Sequence, residues 1–180
     1  MLAAIDGDYI PYLCAGSTTV EERYYTIAEG PSAPPLFECK YKKEAVKYCT
    51  DHGLPLDCIY QTRHVIDEQQ MYRLLDAEFE DIFNNTGASH YKLYLGGGRN
   101  FRYDIYPEYK SGRKNYSRPV LISQAKEYLI TKYGAHVCQD IEADDAVSIV
   151  CSNEHDSILC SPDKDLDQVP GMHYDPGIGS

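Results

Sequence analysis

Short apolar runs separated by helical patterns are the feature that most restricts the fold of this 180-residue chain. LAAID (2–6), HVC (136–138) and SILCS (157–161) are typical of short buried strands. Residues 67–85 carry apolar side chains near i, i+3 and i+4 spacing, which predicts an amphipathic helix, and Pro119 is a favourable start for another. Strands that alternate with helices predict an α/β fold with a mostly parallel central sheet flanked by helices.

The other segments complete this prediction. The patterns predict an edge strand or hairpin arm at 20–28 and strands at 57–62 and 91–95. They also predict a helix at 38–51 that Gly53 ends, a stop at Gly87 for the helix at 67–85, a helix from Pro119 to about Tyr133 that Gly134 ends, and a helix that begins at EADD (142–145). A chain of this length supports one good core, so we expect a single domain over residues 1–180.

Acidic residues follow three of the predicted strands. Asp6 and Asp8 follow the first strand, EADD (142–145) follows HVC, and Asp163 and Asp165 follow SILCS. Because ligands of open α/β sheets bind at the carboxyl ends of the strands, these side chains are expected to converge. Clustered carboxylates repel one another unless cations neutralise them, and all-oxygen ligation suits Mg²⁺ or Mn²⁺. The pattern favours one or two such ions and hydrolysis of phosphodiester bonds by a two-metal mechanism.

Each acidic group also has a purely structural interpretation. Asp6 and Asp8 alone could form a turn after a strand, and EADD alone is more often a helix cap. DKDLDQ (163–168) starts like a calcium-binding loop, but Gln168 and Tyr174 stand where that loop needs Gly and Glu. The three groups taken together are what favours a metal-dependent enzyme.

The net charge of −11 opposes binding to nucleic acid, but its distribution does not. Residues 99–118 carry six Lys or Arg against two acids, a local charge of +4, while the other 160 residues carry −15. Four tyrosines are interleaved with these bases, so the segment offers cations for phosphate and ring faces for bases. The alternative is an ordinary solvated loop. No regular structure is predicted for it, and we expect it to order on binding substrate.

The sequence argues against export and against a membrane span. No stretch approaches about 20 apolar residues, and MLAAIDGDYI lacks the basic start of a signal peptide. Seven cysteines at irregular spacing favour reduced thiols and a cytoplasmic location. Cys39, Cys49, His52 and Cys58 could bind zinc, but their spacing is irregular and buried thiols are the favoured interpretation.

Four motifs, in order across residues 3–169, resemble the 5′-nuclease superfamily. They are AIDGDYIPY, NFRYDIYPEYKSGRK, IEADDAVSIV and SPDKDLDQV. The chain is most similar to bacteriophage-type 5′–3′ exonucleases and flap endonucleases, and to the 5′-nuclease domain of bacterial DNA polymerases. The resemblance implies a PIN-like sheet, a divalent-metal site, and a helical arch at about 97–118 that threads or clamps a 5′ single strand.

The resemblance also implies roles for individual residues. The implied metal ligands are Asp6, Glu142, Asp144, Asp145, Asp163 and Asp165. The implied catalytic residues are Lys110, Arg113, Asp144 and Asp163, with Lys110 and Arg113 on the scissile phosphate. The implied nucleic-acid contacts are Arg99, Arg102, Tyr106, Tyr109, Lys110, Arg113 and Lys114, with Arg102 on phosphate and Tyr109 stacked on a base. Asp8 stands where many relatives have a small polar residue.

Two departures from the family pattern leave alternatives open. Many relatives carry an acid just before the FR motif, where residues 96–98 are GGG, interpreted here as a flexible lead into the arch. The family also continues with a helix–turn–helix element that binds duplex DNA, whereas this sequence ends at Ser180. We expect a fragment, a shortened variant, or a chain whose protein partner supplies that part.

The expected activity is 5′–3′ exonuclease or flap endonuclease action with Mg²⁺ or Mn²⁺, on DNA that has a 5′ flap or free 5′ end, and on RNA of RNA–DNA hybrids. The second hypothesis is a catalytically weak or inactive nucleic-acid-binding or partner-binding module on the same fold. A PIN-type ribonuclease ranks third, because it would not need the YPEYKSGR arch.

Overall fold

A computed structural model of the chain describes residues 1–27, 34–106, 108–109 and 118–177, and for Arg99 the backbone alone. The chain divides into two compact units. The first comprises Met1–Ser17 and Gln69–Ser180, and the second is Thr18–Glu68. Compactness alone does not make either unit an independently folding domain, so the single-domain prediction for residues 1–180 stays a prediction.

The predicted strands and helices are present, with most boundaries shifted by a few residues. The strands within the described residues are β1 (Leu2–Asp6), β2 (Val20–Thr26), β3 (Phe37–Cys39), β4 (Ile59–Val65), β5 (His90–Asn100), β6 (His136–Asp140), β7 (Ser157–Cys160) and β8 (Met172–Tyr174). The α-helices there are α1 (Tyr9–Gly16), α2 (Lys42–His52), α3 (Glu68–Thr86), α4 (Arg102–Ile105), α5 (Ile122–Tyr133) and α6 (Ala143–Asn153). Short 3₁₀ helices cover Leu56–Cys58 and Lys164–Gln168.

A five-stranded sheet forms the centre of the first unit. Its strand order is β6-β5-β1-β7-β8, and each neighbouring pair is parallel. All five residues of β1 are buried in the middle of this sheet. The prediction of an α/β fold with a mostly parallel sheet is therefore confirmed. Since the strands run the same way, their carboxyl ends meet at one edge, and the acidic motifs follow three of those ends.

Amphipathic helices cover this sheet. The buried residues of α3 follow a helical stripe, namely Met71, Leu75, Phe79 and Ile82. Val147 of α6 packs with Ala4 of β1 and Leu159 of β7 in a buried cluster, which holds α6 against those strands. Gly87 and Gly134 adopt φ of 64° at the ends of α3 and α5, the left-handed conformation that glycine favours at a helix end.

The structure corrects the prediction for residues 96–98. They are not a separate flexible lead but lie within β5, which continues to Asn100 with an irregular register beside β6. A Cβ on Gly97 would lie 2.2 Å from the carbonyl oxygen of Cys138. Glycine is needed there because the two backbones approach too closely for any side chain. The triplet GGG thus marks a close strand contact as well as a bend.

The second unit contains a three-stranded antiparallel sheet in the order β3-β2-β4. β2 is the central strand of this sheet and pairs antiparallel with β3, so of the two alternatives predicted for 20–28 it is a hairpin arm and not an edge strand. The Sγ atoms of Cys49 and Cys58 lie 3.6 Å apart as reduced thiols, with Cys49 fully buried. Across both units, the helices that the structure describes include none long and apolar enough to cross a membrane.

Candidate functional site

Asp6 is the innermost acidic residue of the candidate site. It ends β1 beside Tyr94 of β5, and its side chain is only 8% exposed. Its carboxylate accepts hydrogen bonds from the backbone N–H of Asp8 at 3.2 Å and from the Ser161 hydroxyl at 3.0 Å. Burial, with the nearby charges of Asp8 and Asp144, raises the pKa of Asp6 to about 6. A negative charge at this position is therefore costly without a compensating cation.

The second acidic group forms the first turn of α6. We call Glu142, Asp144 and Asp145 the α6 head. Glu142 is the N-cap, and it forms a capping box with Asp145, whose carboxylate accepts from the Glu142 backbone N–H at 3.1 Å. The Asp145 backbone N–H donates to Asp144 at 2.8 Å, while burial and the neighbouring carboxylates raise the pKa of Asp144. The first turn of α6 is thus both a helix cap and a cluster of negative charges.

A basic side chain lies against the α6 head. The Arg102 guanidinium, at the start of α4, donates two hydrogen bonds of 2.7 Å to the two carboxylate oxygens of Asp145. The same guanidinium lies 3.2 Å from Glu142 Oε2, which also accepts from the Tyr109 hydroxyl at 2.8 Å. The bond to Asp145 raises the pKa of Arg102 above its ordinary value, so its charge is permanent. Two predicted nucleic-acid contacts are therefore bound to two predicted metal ligands.

The third acidic group is joined to Asp6 through Ser161. The Ser161 hydroxyl donates to Asp6 and accepts from the backbone N–H of Asp163 at 3.1 Å. Asp163 caps the 3₁₀ helix by accepting from the Asp165 backbone N–H at 2.9 Å, and both of these acids are exposed. Ser161 is the link that sequence reasoning missed, because a serine after a strand is ordinarily a turn residue. The only available signal was its position directly before the acidic motif.

Asp8 occupies the space that residues 96–98 leave open. Its carboxylate accepts from the Gly96 backbone N–H at 2.9 Å and lies 3.6 Å from the Lys126 ammonium. A Cβ on Gly96 would lie 2.7 Å from the carboxylate, so any other residue there would displace the Asp8 side chain from this contact. Residues 96–98 carry no acid, but the carboxylate of Asp8, which comes from the turn after β1, lies beside them.

The predicted nucleic-acid residues are described only in part. Tyr106 is 56% exposed and its hydroxyl is 3.4 Å from Glu108, while the Tyr109 ring contacts Tyr103 edge-on at 5.4 Å between centroids. Lys110, Arg113 and Lys114 lie outside the described residues, and so does the Arg99 side chain. Their predicted roles stay predictions.

The donors at this edge of the sheet suit a hard divalent cation more than a soft one. They are carboxylates, and desolvation together with neighbouring negative charges raises the pKa values of buried Asp6 and half-buried Asp144, so a cation there would compensate charge that is otherwise costly. Glu142 and Asp145 are instead turned to Arg102. Among the residues that the structure describes, no three His, Cys, Asp or Glu side chains are already gathered around one metal position. The donor chemistry fits the predicted metal. In the present arrangement, Glu142 and Asp145 of the α6 head are paired with the Arg102 guanidinium.

No protein-family model, curated protein or solved structure matches the chain. The similarity to the 5′-nuclease superfamily therefore depends on the four ordered motifs and stays a prediction.

Proposed function

We propose that the chain is a divalent-metal-dependent 5′-nuclease with a PIN-like fold, which hydrolyses phosphodiester bonds at the 5′ end or flap of DNA. The observation that supports this most strongly is that Asp6, Asp163 and the α6 head lie at or just after the carboxyl ends of β1, β7 and β6 at one edge of a parallel sheet. The hydroxyl of Ser161 joins the first two groups, and the charges of Asp6 and Asp144 interact. A tyrosine-rich basic segment starts at the same edge, with Arg102.

Mg²⁺ or Mn²⁺ is the proposed cofactor, with Asp6, Asp144 and Asp163 as its first ligands and Glu142, Asp145 and Asp165 as further ones. Divalent cations held in this way supply an activated water and neutralise charge on the transferred phosphate. The residues of the chain hold and orient the reacting groups. Ser161 fixes the Asp6 carboxylate by its hydrogen bond, and the cap at Asp163 fixes the strand end beside it.

Substrate is held by the basic segment in this proposal. Lys110 and Arg113 offset charge on the scissile phosphate, and Arg99, Arg102 and Lys114 bind the phosphates around it. Tyr106 and Tyr109 offer ring faces to unpaired bases of the 5′ strand. RNA of RNA–DNA hybrids is a second substrate class. The proposed compartment is the cytoplasm.

The second candidate is a binding module without catalysis. It is favoured by the pairing of Glu142 and Asp145 with Arg102, because that arrangement leaves fewer carboxylates facing a metal. Under this alternative the same residues form a salt-bridged surface, and nucleic acid binds without being cleaved.

The test is cleavage of a 5′-labelled flap substrate and a nicked duplex in Mn²⁺, compared with the same reaction in EDTA. Short products released from the 5′ end in Mn²⁺ alone are expected. Asp144→Asn combined with Asp163→Asn should lower the rate at least about 100-fold, since losing ligands costs more than the 10–100-fold typical of outer-shell partners.

Asp167→Asn is the matched control, because Asp167 is an exposed acid of the same 3₁₀ helix and not a predicted ligand. It should cleave at the wild-type rate. Binding of the flap without any product would support the module instead, and full activity in the Asp144/Asp163 double variant would contradict the proposed site.

A further inference from the structure

Two side chains that are proposed to bind nucleic acid contact two side chains that are proposed to bind the metal. Arg102 contacts both oxygens of Asp145 and one oxygen of Glu142, and Tyr109 contacts that same Glu142 oxygen. These contacts occupy some of the lone-pair sites that Asp145 and Glu142 would offer to a divalent cation. The guanidinium also carries a full positive charge close to where that cation would lie, so the two repel each other.

The backbone that carries Arg102 is fixed, while its side chain is accessible. The Arg102 backbone N–H donates to Asn100 Oδ1 at 3.0 Å, and the Phe101 N–H donates to the Asp140 carbonyl at 2.9 Å. These bonds hold the start of α4 on the ends of β5 and β6. The side chains of Arg102 and Asp145 are each 28% exposed, so a phosphate can reach the guanidinium from solvent. The ion pair can therefore open by rotation of side chains alone.

We propose that Arg102 and Tyr109 alternate between two sets of partners, and so couple metal binding to substrate binding. Without a divalent cation they hold Asp145 and Glu142. With a cation on those carboxylates, Arg102 turns to a backbone phosphate and Tyr109 is released to a base. This inference rests on the proposed function. It identifies Arg102 and Tyr109 as the residues through which binding of the cation and binding of nucleic acid depend on each other.

The coupling is positive and reciprocal. A cation on the α6 head removes the anionic partner of Arg102, which then binds phosphate more strongly. A phosphate on Arg102 takes the guanidinium charge away from the α6 head, which strengthens the attraction of its carboxylates for a cation. By linkage, each ligand raises the affinity for the other by the same factor. Neither residue needs to touch the reacting atoms for this effect, so both are positioning residues.

The first experiment measures Mn²⁺ affinity by isothermal titration calorimetry in the absence of nucleic acid. Arg102→Gln should bind Mn²⁺ about tenfold more tightly than the wild type, within the range usual for coupled sites. Arg102→Lys keeps the charge but loses the two-pronged contact with Asp145, so it should also bind Mn²⁺ more tightly, by a smaller factor. It also serves as the second variant where Arg102→Gln does not fold, which circular dichroism will show.

Lys126→Gln is the matched control for charge. It removes one positive charge 3.6 Å from Asp8 and does not free the α6 head, so its gain in Mn²⁺ affinity should be clearly smaller than that of Arg102→Gln. Wild-type binding of Mn²⁺ with no gain in either Arg102 variant would overturn the coupling and leave the proposed function standing. No Mn²⁺ binding in the wild type or any variant would overturn the proposed function, and the coupling with it.

The second experiment measures the other half of the linkage, namely the effect of a divalent cation on the affinity for nucleic acid. Anisotropy of a 5′-phosphorylated oligothymidylate is measured in EDTA and in Ca²⁺, a hard cation that also prefers oxygen ligands. The wild type should bind the oligonucleotide about tenfold more tightly in Ca²⁺, and Arg102→Gln should lose most of that gain. Tyr109→Phe keeps the ring but removes its hydrogen bond to Glu142, so the ring is released to a base and this variant should bind the oligonucleotide more tightly than the wild type in EDTA. An equal Ca²⁺ effect in wild type and Arg102→Gln would contradict the proposal.

Discussion

At the scale of single residues, Asp6 carries an energetic conflict. Its carboxylate is buried at the end of the central strand, and desolvation is the main reason that its pKa rises from 3.8 to about 6. The folded chain therefore holds a proton on Asp6 more tightly than the unfolded chain does. Above pH 6 the folded state must carry this charge, so Asp6 lowers stability there, and the penalty disappears as the pH falls below about 4.

Asp6→Asn should therefore stabilise the metal-free fold while abolishing metal-dependent cleavage. The difference between the two pKa values corresponds to as much as about 3 kcal/mol at pH 7.5. Asparagine can still accept from the Asp8 N–H, and the Ser161 hydroxyl can rotate to accept from its amide. Urea unfolding in EDTA at pH 7.5 and at pH 4 measures the effect, which should shrink to near zero at the lower pH.

The exposed Asp167→Asn variant is the control for this change, and it should stay within about 0.5 kcal/mol of the wild type at both pH values. Equal stability of Asp6→Asn and wild type at pH 7.5 would show that the charge of Asp6 is already compensated in the free protein.

At the scale of secondary-structure elements, β5 shows why a sequence pattern can indicate the wrong property. Three consecutive glycines predict flexibility, because glycine loses the most entropy on ordering. In the fold they continue β5 past the end of its apolar run, and two of them allow close approaches. Gly96 faces the Asp8 carboxylate, and Gly97 faces the Cys138 carbonyl on β6. Such contacts between distant segments cannot be deduced from the local sequence.

Gly97→Ala should destabilise the first unit strongly. The added Cβ would lie 2.2 Å from a backbone oxygen of β6, so the two strands must separate. We expect a loss of about 2–4 kcal/mol in urea unfolding, in the upper range for single substitutions. Gly16→Ala is the contrasting variant, since its Cβ would meet only Pro119 at an ordinary 3.9 Å in helix α1. It should leave stability unchanged or raise it by a few tenths of a kcal/mol, because alanine favours helices. Similar effects of the two substitutions would contradict the close approach of β5 and β6.

At the scale of the whole molecule, the sequence predicts what is local and misses what is paired at a distance. Apolar runs and glycine stops place β1, β7, α3 and α5 closely, because burial and helix ends leave local signals. For the antiparallel sheet of the second unit the sequence predicts an edge strand or hairpin arm at 20–28 and a strand at 57–62 but not the order of the three strands, since strand partners are chosen by tertiary contacts. The same reason applies at the site. The acids are visible as motifs, whereas the bond of Ser161 to Asp6 spans 155 residues.

The distribution of charge over the whole chain leads to a prediction about salt. An acidic protein of net charge −11 repels nucleic acid overall, so binding must depend on the +4 segment at 99–118. Each phosphate that a base neutralises on single-stranded DNA contributes about −0.7 to the slope of log K against log salt concentration. Replacing Lys110 and Arg113 by Gln should therefore make that slope shallower by about 1.4 for a 5′-phosphorylated oligonucleotide in EDTA.

Lys43→Gln with Lys47→Gln provides the control, because it makes the same change in net charge at exposed positions on α2. If binding depends only on net charge, the two double variants will weaken together and keep equal slopes. If residues 99–118 hold the phosphates, the slope changes only for the Lys110 and Arg113 variant. Anisotropy titrations between about 50 and 300 mM KCl distinguish these outcomes. Roughly over this range of salt, several phosphate contacts alter the affinity by orders of magnitude. Equal slopes would remove the basic segment from the proposed nucleic-acid interface, whatever the metal-binding experiments show.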